Sequence, residues 1–262
     1  MGLKAFAPVV AALAVASPAQ FLQASQQPSG GFAEATGPAS PALTAWAALG
    51  LVAAGKRPAV ALDYLREHES DPLPPATRAL VALAAAALGD SRPAQALPVS
   101  PGQTNTIIWT ILARRQAGLA VPKSLLTTLV ARQATSGGWG WGKGVAPDSN
   151  DTAAAVQALR AAGVSGAPVR RALDYLRSVR VTNGGFALVR GREPDAQSTA
   201  WTIQAFLAAK ARVPERALAF LASLQRADGS YRYSARYAVT PVWVTAQVLP
   251  AVMKKSFPFP RR

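Results

Sequence analysis

Apolar and polar residues along the chain form two kinds of helical segment. The segment 76–88 is apolar on almost every face, whereas in 169–180 apolar residues recur every three or four positions. A helix that is apolar all round must be covered on all sides, whereas an amphipathic helix needs cover on one face. The pattern therefore predicts a layer of buried inner helices inside a layer of amphipathic outer helices.

The two kinds of helix form a unit that is repeated six times. Inner helices are predicted to start near residues 41, 76, 104, 150, 197 and 241, each after an outer helix. In four units a glycine turn joins the two helices. The turn glycines are Gly31, Gly138, Gly185 and Gly229, and the last three are 47 and 44 residues apart (185 − 138 and 229 − 185). This period is typical of stacked helical hairpins, so the chain is predicted to be all-α, with six inner helices closing into an α/α barrel.

Two units depart from the pattern. The second has no glycine turn, and the third has three prolines between residues 91 and 103, so its outer helix should be short or missing. No linker separates the units, which predicts a single domain over residues 17–262.

Residues 1–16 resemble a secretory signal. Lys4 is followed by about a dozen apolar residues that end in Ala14-Val15-Ala16, a small-residue cleavage pattern. A first core helix, with Pro8 near its start, is the alternative. The signal interpretation predicts a secreted or cell-envelope protein.

Composition narrows the possible chemistry. The net charge of +15 favours an anionic surface as partner, but the arginines form no basic run with interleaved aromatics, so nucleic-acid binding is not expected. The chain contains no cysteine, which removes disulfides, thiolate nucleophiles and Cys-ligated zinc. The single histidine, His68, stands between Glu67 and Glu69 and is expected to be solvated. No metal and no cofactor are predicted.

Acidic residues stand at the predicted starts of inner helices. Asp148, Asn150 and Asp151 all have the short side chains that cap helix N-termini, and Asp195 stands at the corresponding place in the next unit. Asp148, Asp151 and Asp195 are therefore either helix caps or candidate catalytic carboxylates.

The repeated turns resemble a known superfamily. Phe21-Leu22…Gln26…Gly30-Gly31-Phe32, Leu129…Gln133…Gly137-Gly138-Trp139 and Phe220-Leu221…Gln225…Gly229…Tyr231 are similar to the Gln-Trp repeat of terpene cyclases and protein prenyltransferases. The resemblance covers roughly residues 20–255 and implies the α/α toroid of that superfamily, with six inner and up to six outer helices. Arg180 departs from the repeat, because a Gln is expected at its position.

The resemblance also bears on catalysis. Class II terpene cyclases of the squalene-hopene cyclase type protonate an alkene with the middle acid of Asp-x-Asp-Asp-Thr-Ala, and this chain has Asp148-Ser-Asn150-Asp151-Thr-Ala at the matching place. The amide of Asn150 cannot supply a strongly acidic proton, which favours a protein without catalysis. Prenyltransferases hold zinc with a Cys that this chain lacks.

A second, shorter similarity concerns the helical domain of transcobalamin and intrinsic factor. It rests on Asp151-Thr-Ala-Ala-Ala-Val and on residues 245–257, and it implies a secreted carrier that clamps a corrin. The small β domain of those carriers has no counterpart in this sequence.

Three hypotheses follow. The first is an exported, non-catalytic toroid that binds a lipophilic or corrin-like ligand, or a partner, in a central cavity. The second is a terpene cyclase or mutase with an altered acid motif, and the third is a carbohydrate-active toroid with two carboxylates across the cavity. The alternative for each tryptophan is that it packs the core of the toroid. The candidate cavity residues are Trp46, Asn105, Trp109, Trp139, Asp148, Asn150, Asp151, Gln157, Gln197, Trp201, Gln204, Tyr231, Trp243 and Gln247.

Overall fold

A computed structural model describes residues 16–260. Apart from Ala16, the predicted signal segment lies outside the described residues. Within 16–260 there are twelve helices, and they confirm the predicted all-α class. In chain order they are α1 Pro18–Ala24, α2 Pro41–Ala53, α3 Ala59–Glu67, α4 Pro75–Leu88, α5 Arg92–Ala96, α6 Thr104–Gln116, α7 Lys123–Ala131, α8 Ser149–Ala161, α9 Ala167–Ser178, α10 Ala196–Ala208, α11 Glu215–Leu224 and α12 Pro241–Val252.

The even-numbered helices form a closed inner ring. Each of them packs against the next, and α12 packs against α2. The odd-numbered helices cover the ring from outside, and the prolines of the third unit leave α5 with five residues, as expected. In the region that the structure describes, no helix is both long enough and apolar enough to cross a bilayer.

In the four units that have one, the glycine turn packs against the next unit around the ring. Gly184 has φ +97°, and a Cβ there would lie 2.6 Å from the backbone oxygen of Arg216, near the start of the next outer helix. In the last unit a Cβ at Gly229 would likewise come too close to the backbone oxygens of Ala16 and Ser17, which precede α1. Only glycine allows this approach together with positive φ. The contact of the sixth unit with the first closes the ring.

A threonine on the inner helix holds the aromatic residue of each glycine turn. The backbone N–H of Trp139 donates to Thr152 Oγ1 at 2.9 Å, and Phe186 makes the same bond with Thr199. Phe32 with Thr44 and Tyr231 with Thr245 complete the set, also at 2.9 Å. These bonds satisfy N–H groups that are buried between the two layers.

Each inner helix from α6 onwards is capped by the loop of the following unit. The first-turn N–H groups of Asn105, Ser149 and Ala196 donate to the carbonyl oxygens of Trp141, Leu188 and Tyr233. For α12 the following unit is the first one, and there a side chain takes the role of the carbonyl. The carboxylate of Glu34 accepts from the N–H groups of Val242 at 3.1 Å and Trp243 at 2.8 Å. A carboxylate is favoured at a helix N-terminus.

The environment of His68 differs from the prediction. The residue is partly buried, its ring stacks on Tyr64 with 4.0 Å between centroids, and Nδ1 lies 2.8 Å from the Tyr64 carbonyl oxygen. One helical turn separates the two residues, so their rings lie on the same face of α3. His68 is therefore solvated on part of its surface and packed against Tyr64 on the rest.

Candidate ligand site at the mouth of the ring

The two ends of the ring differ in how they are closed. We call the end at the first turns of the inner helices the mouth. Most of the predicted cavity residues that lie there are partly exposed, namely Trp46, Asn105, Trp109, Asn150, Asp151, Gln197 and Trp243. They come from α2, α6, α8, α10 and α12, so the fold brings to one place residues that are up to 197 positions apart in sequence (243 − 46).

Three tryptophans fill the axis of the ring below the mouth. Trp46, Trp109 and Trp201 each occupy the sixth position of their helix, on α2, α6 and α10. Their rings meet edge to face, with centroids 5.4 to 5.7 Å apart. Because these helices alternate with others around the ring, rings that touch must meet near its axis. The packing interpretation therefore holds for this triad, and an open central cavity is not present at its level.

The opposite end of the ring is closed by the C-terminal tail, residues 254–260. The backbone N–H groups of Phe257 and Phe259 donate to the side-chain oxygens of Gln157 and Gln116 at 2.8 and 2.7 Å. Both phenylalanine side chains are buried, and the ring of Phe257 lies 5.9 Å from that of Trp201. The tail thus reaches the tryptophan triad from below and fills the ring axis at this end. Beside it, a pocket of about 460 Å³ lies between the C-terminal ends of α2, α4 and α6 and the tail residues Phe259 and Pro260.

An amide network ties α10 to α12 beside the triad. Gln247 Oε1 accepts from Trp201 Nε1 at 2.8 Å and from Gln197 Nε2 at 3.0 Å, while Gln204 Nε2 donates to the backbone oxygen of Gln247 at 3.2 Å. Trp201 is therefore fixed by a polar bond as well as by its aromatic neighbours. Gln197, at the upper end of this network, remains partly exposed to the mouth.

Asp148 and Asp151 form a coupled pair at the start of α8. Asp148 is the helix cap, since its Oδ1 accepts from the backbone N–H of Asp151 at 2.8 Å. Burial and the neighbouring carboxylate of Asp148 raise the pKa of Asp151 to about 8, and burial also raises the pKa of Asp148. Two adjacent carboxylates cannot both ionise easily, so the pair holds one proton near neutral pH. Burial and Asp148 raise the pKa of Tyr175 to about 12, and its hydroxyl donates to the Pro147 carbonyl at 2.7 Å.

Asp195 is occupied as a helix cap. It is buried, and its carboxylate accepts from the backbone N–H of Ser198 at 2.7 Å and from the Ser198 hydroxyl at 2.8 Å. Burial raises its pKa against the effect of these bonds. The capping interpretation thus accounts for Asp148 and Asp195, which leaves Asp151 as the candidate acid at the mouth.

Two of the predicted cavity residues lie outside the inner ring. Trp139 is fully buried, and its Nε1 donates to the Leu129 carbonyl on the outer helix α7 at 2.7 Å. Tyr231 is the corresponding turn residue of the sixth unit, buried between α11 and α12. Both fill the layer between the inner and outer helices, because the glycine turn that carries them runs outside the inner ring.

A groove of about 620 Å³ adjoins the mouth between the starts of α4 and α6. Asn105 belongs to both the groove and the mouth, and Arg132 contributes a cation. The exposed indole of Trp141 forms part of its wall. Sequence reasoning missed this groove, because Pro75, Asn105 and Trp141 come from three different units. It likewise missed Gln116, Phe257 and Phe259, although the alternation Phe-Pro-Phe-Pro at residues 257–260 was a visible sign of an extended apolar segment.

Comparison with known proteins gives structural matches without sequence matches. No family model and no curated protein sequence matches the chain. A protein from Actinoplanes is similar with a TM-score of 0.70 and 19% identity, over 90% of this chain and 97% of that one. The type II terpene cyclase MstE from Scytonema gives 0.67 and 17%, over 90% and 95%. The ent-copalyl diphosphate synthase from Streptomyces platensis gives 0.58 and 22%, over 82% of this chain and half of that synthase.

At these identities the likeness shows the fold alone. The chain has the α/α toroid found in class II terpene cyclases, as the repeated turns had implied. The structure of an MstE variant contains geranylgeranyl dihydroxybenzoate, a substrate of that cyclase.

Proposed function

We propose that this protein binds a lipophilic small molecule of isoprenoid type at the mouth of the ring and does not transform it. The observation that carries the proposal is the composition of the mouth. Partly exposed faces of Trp46 and Trp109 form an apolar floor, and Asn105, Asn150 and Gln197 provide amides around it. An apolar surface with a few convergent polar groups suits an amphiphilic ligand.

The chemistry of position 150 supports binding without transformation. In the cyclase motif that this stretch resembles, the middle residue is the proton donor, and here it is Asn150. An amide cannot donate a strongly acidic proton whatever surrounds it. The likeness to MstE supports an isoprenoid as the class of ligand, because that cyclase holds a geranylgeranyl chain in the same fold.

A cyclase or mutase is the second candidate, and one observation favours it. With a pKa of about 8, Asp151 carries a proton at neutral pH, and it is partly exposed at the mouth. A neutral carboxylic acid in such a place can act as a general acid. The third hypothesis, sugar hydrolysis by two of Asp148, Asp151 and Asp195, remains a prediction that no observation favours. The carboxylates of Asp148 and Asp195 cap α8 and α10, so only Asp151 is left without a capping role.

Equilibrium binding of geranylgeraniol, followed by tryptophan fluorescence, tests the main proposal. We expect saturable binding, with the alcohol recovered unchanged by mass spectrometry. Asn105→Ala and Trp109→Phe should weaken binding about tenfold each, and Met253→Ala, at the exposed C-terminal end of α12, should not. Thermal melting checks that each variant is folded. The absence of saturable binding by folded wild-type protein would refute the proposal.

A turnover assay with geranylgeranyl dihydroxybenzoate separates the two candidates. Conversion by the wild type that disappears in Asp151→Asn would replace the main proposal with the cyclase. Conversion that is absent in the wild type and appears in Asn150→Asp would instead show that the amide keeps an otherwise competent site inactive.

The hypothesis of a corrin-like ligand remains a prediction, and a calorimetric titration with cobalamin tests it. Export also remains a proposal, and sequencing the N-terminus of protein isolated from its own cells tests it.

A further inference from the structure

Exposed apolar side chains gather on three loops around the mouth. We call these loops the rim: residues 140–147, 187–194 and 232–240, which connect the glycine turns to α8, α10 and α12. Trp141 is 51% exposed and Tyr237 is 58% exposed, and the rim also exposes Leu188 and Val239. Single exposed apolar residues are common on protein surfaces, but here they occur on neighbouring loops at one end of the molecule.

The same loops are cationic. They contain five Lys or Arg residues and one carboxylate, Glu193, which pairs with Arg236 at 2.9 Å. Asp148 and Asp195, which follow the rim in sequence, face the first turns of α8 and α10 as caps. The remaining rim cations are Lys143, Arg190, Arg192 and Arg232, of which the first three are exposed.

Backbone hydrogen bonds hold the rim loops in position. The carbonyl oxygens of Trp141 and Leu188 accept from the first turns of α6 and α8, at 3.0 and 2.9 Å, and Tyr237 O accepts from Ser234 N at 3.1 Å. These bonds hold the backbone that carries the exposed apolar side chains.

The residue types of the rim suit a lipid surface. Indole and phenol rings favour the boundary between headgroups and acyl chains, and nearby Lys and Arg are attracted to acidic headgroups.

We propose that the rim binds the surface of a lipid bilayer that contains anionic lipid. Trp141, Leu188, Tyr237 and Val239 enter the headgroup boundary, and Lys143, Arg190 and Arg192 contact acidic headgroups. The mouth then faces the bilayer. This binding does not depend on the ligand proposed above, so the two proposals can fail separately.

Co-sedimentation with vesicles tests the rim in the absence of any small ligand. We expect binding to phosphatidylcholine vesicles with about 30% phosphatidylserine, and little binding to phosphatidylcholine alone. Each rim cation should contribute about fivefold, so the triple variant Lys143→Gln, Arg190→Gln, Arg192→Gln should lose about a hundredfold. Raising the salt from about 0.05 to about 0.5 M should weaken wild-type binding.

A variant with the same change in net charge serves as the control. Lys56, Arg57 and Lys254 are exposed cations at the opposite end of the ring, and their triple change to Gln should reduce binding far less. Equal losses in the two triple variants would show an effect of total charge and would overturn the proposal. Equal binding to vesicles without phosphatidylserine would overturn it too, as would rim-dependent binding of duplex DNA in place of vesicles.

The apolar contact has its own readout. Brominated lipids quench nearby indoles, so the wild type should be quenched more strongly than Trp141→Ala. Tyr237→Ser with Val239→Ser should weaken vesicle binding, whereas Met253→Ser, at the other end of the ring, should not. Quenching that is the same with and without Trp141 would count against insertion of the rim.

Discussion

The side-chain oxygen of Gln157 on α8 accepts a hydrogen bond of 2.8 Å from the backbone N–H of Phe257, one hundred residues further along the chain. Gln116 holds Phe259 in the same way at 2.7 Å, and its Nε2 donates back to the Phe259 carbonyl at 3.3 Å. Two inner-helix amides thus bind the tail as an extended peptide. At this end the tail therefore occupies the part of the ring axis that would be empty in a hollow ring.

Shortening Phe257 should therefore destabilise the whole ring. Phe257→Ala removes a ring that is 3% exposed and packs on Trp201, and such changes usually cost about 3–5 kcal/mol. Urea unfolding followed by circular dichroism measures the loss. Met253→Ala, an exposed change near the same end, should stay within about 0.5 kcal/mol. If the two variants unfold at similar urea concentrations, the tail does not contribute to the core.

The sequence predicts the ring better than it predicts the interior. The inner helices begin at Pro41, Pro75, Thr104, Ser149, Ala196 and Pro241, each within one residue of the predicted start. These starts are visible because caps, prolines and apolar periodicity are local signals. The bonds from the tail to Gln116 and Gln157 span 143 and 100 residues and leave no local signal.

The candidate site shows the same division. The sequence correctly places Asn105, Asn150 and Gln197 at the first turns of neighbouring inner helices. It could not show that Trp46, Trp109 and Trp201 meet, because that depends on α2, α6 and α10 alternating around a closed ring. For Trp139 and Tyr231 it could not show which side of the inner helix the glycine turn covers, since both faces of that helix are apolar.

The threonines that hold the turn aromatics can be tested against a threonine that makes no such bond. Thr152→Val should cost about 1–2 kcal/mol, because it leaves the N–H of the fully buried Trp139 without its partner. Thr202 is also fully buried, and among the described residues its hydroxyl has no hydrogen-bond partner. Thr202→Val should therefore be neutral or stabilising. Chemical denaturation compares the two, and an equal loss in both variants would contradict the role given to Thr152.

The protonated carboxyl pair predicts a pH dependence of stability. Burial and Asp148 raise the pKa of Asp151 to about 8 in the folded protein, above the value of an unfolded chain, about 3.9. Between these values the folded state binds a proton that the unfolded state does not. The free energy of unfolding should thus fall as pH rises, by at most about 1.4 kcal/mol per pH unit.

Asp151→Asn isolates this contribution, because it keeps the shape and removes the titration. The free energy of unfolding should change less between pH 5 and pH 8 in the variant than in the wild type, with roughly one fewer proton released on unfolding. Asp195, whose pKa burial also raises, is present in both proteins and acts as a common background. Parallel pH profiles for the two proteins would contradict a shared proton at the start of α8.

Ring closure depends on Glu34 as well as on helix packing. Its carboxylate caps α12 from the first unit, a sequence separation of 209 residues from Trp243. Thr240, which precedes α12, makes no capping bond with its side chain, so Glu34→Ala leaves two first-turn N–H groups without acceptors. We expect a loss of about 1–2 kcal/mol, with Glu34→Gln intermediate, because an amide has one acceptor oxygen and no charge. The backbone amides of Val242 and Trp243 should exchange hydrogen faster in Glu34→Ala than in the exposed control Glu67→Ala. If exchange at these amides is unchanged in Glu34→Ala, the first and sixth units are held together by apolar packing of α12 against α1 and α2 without this cap.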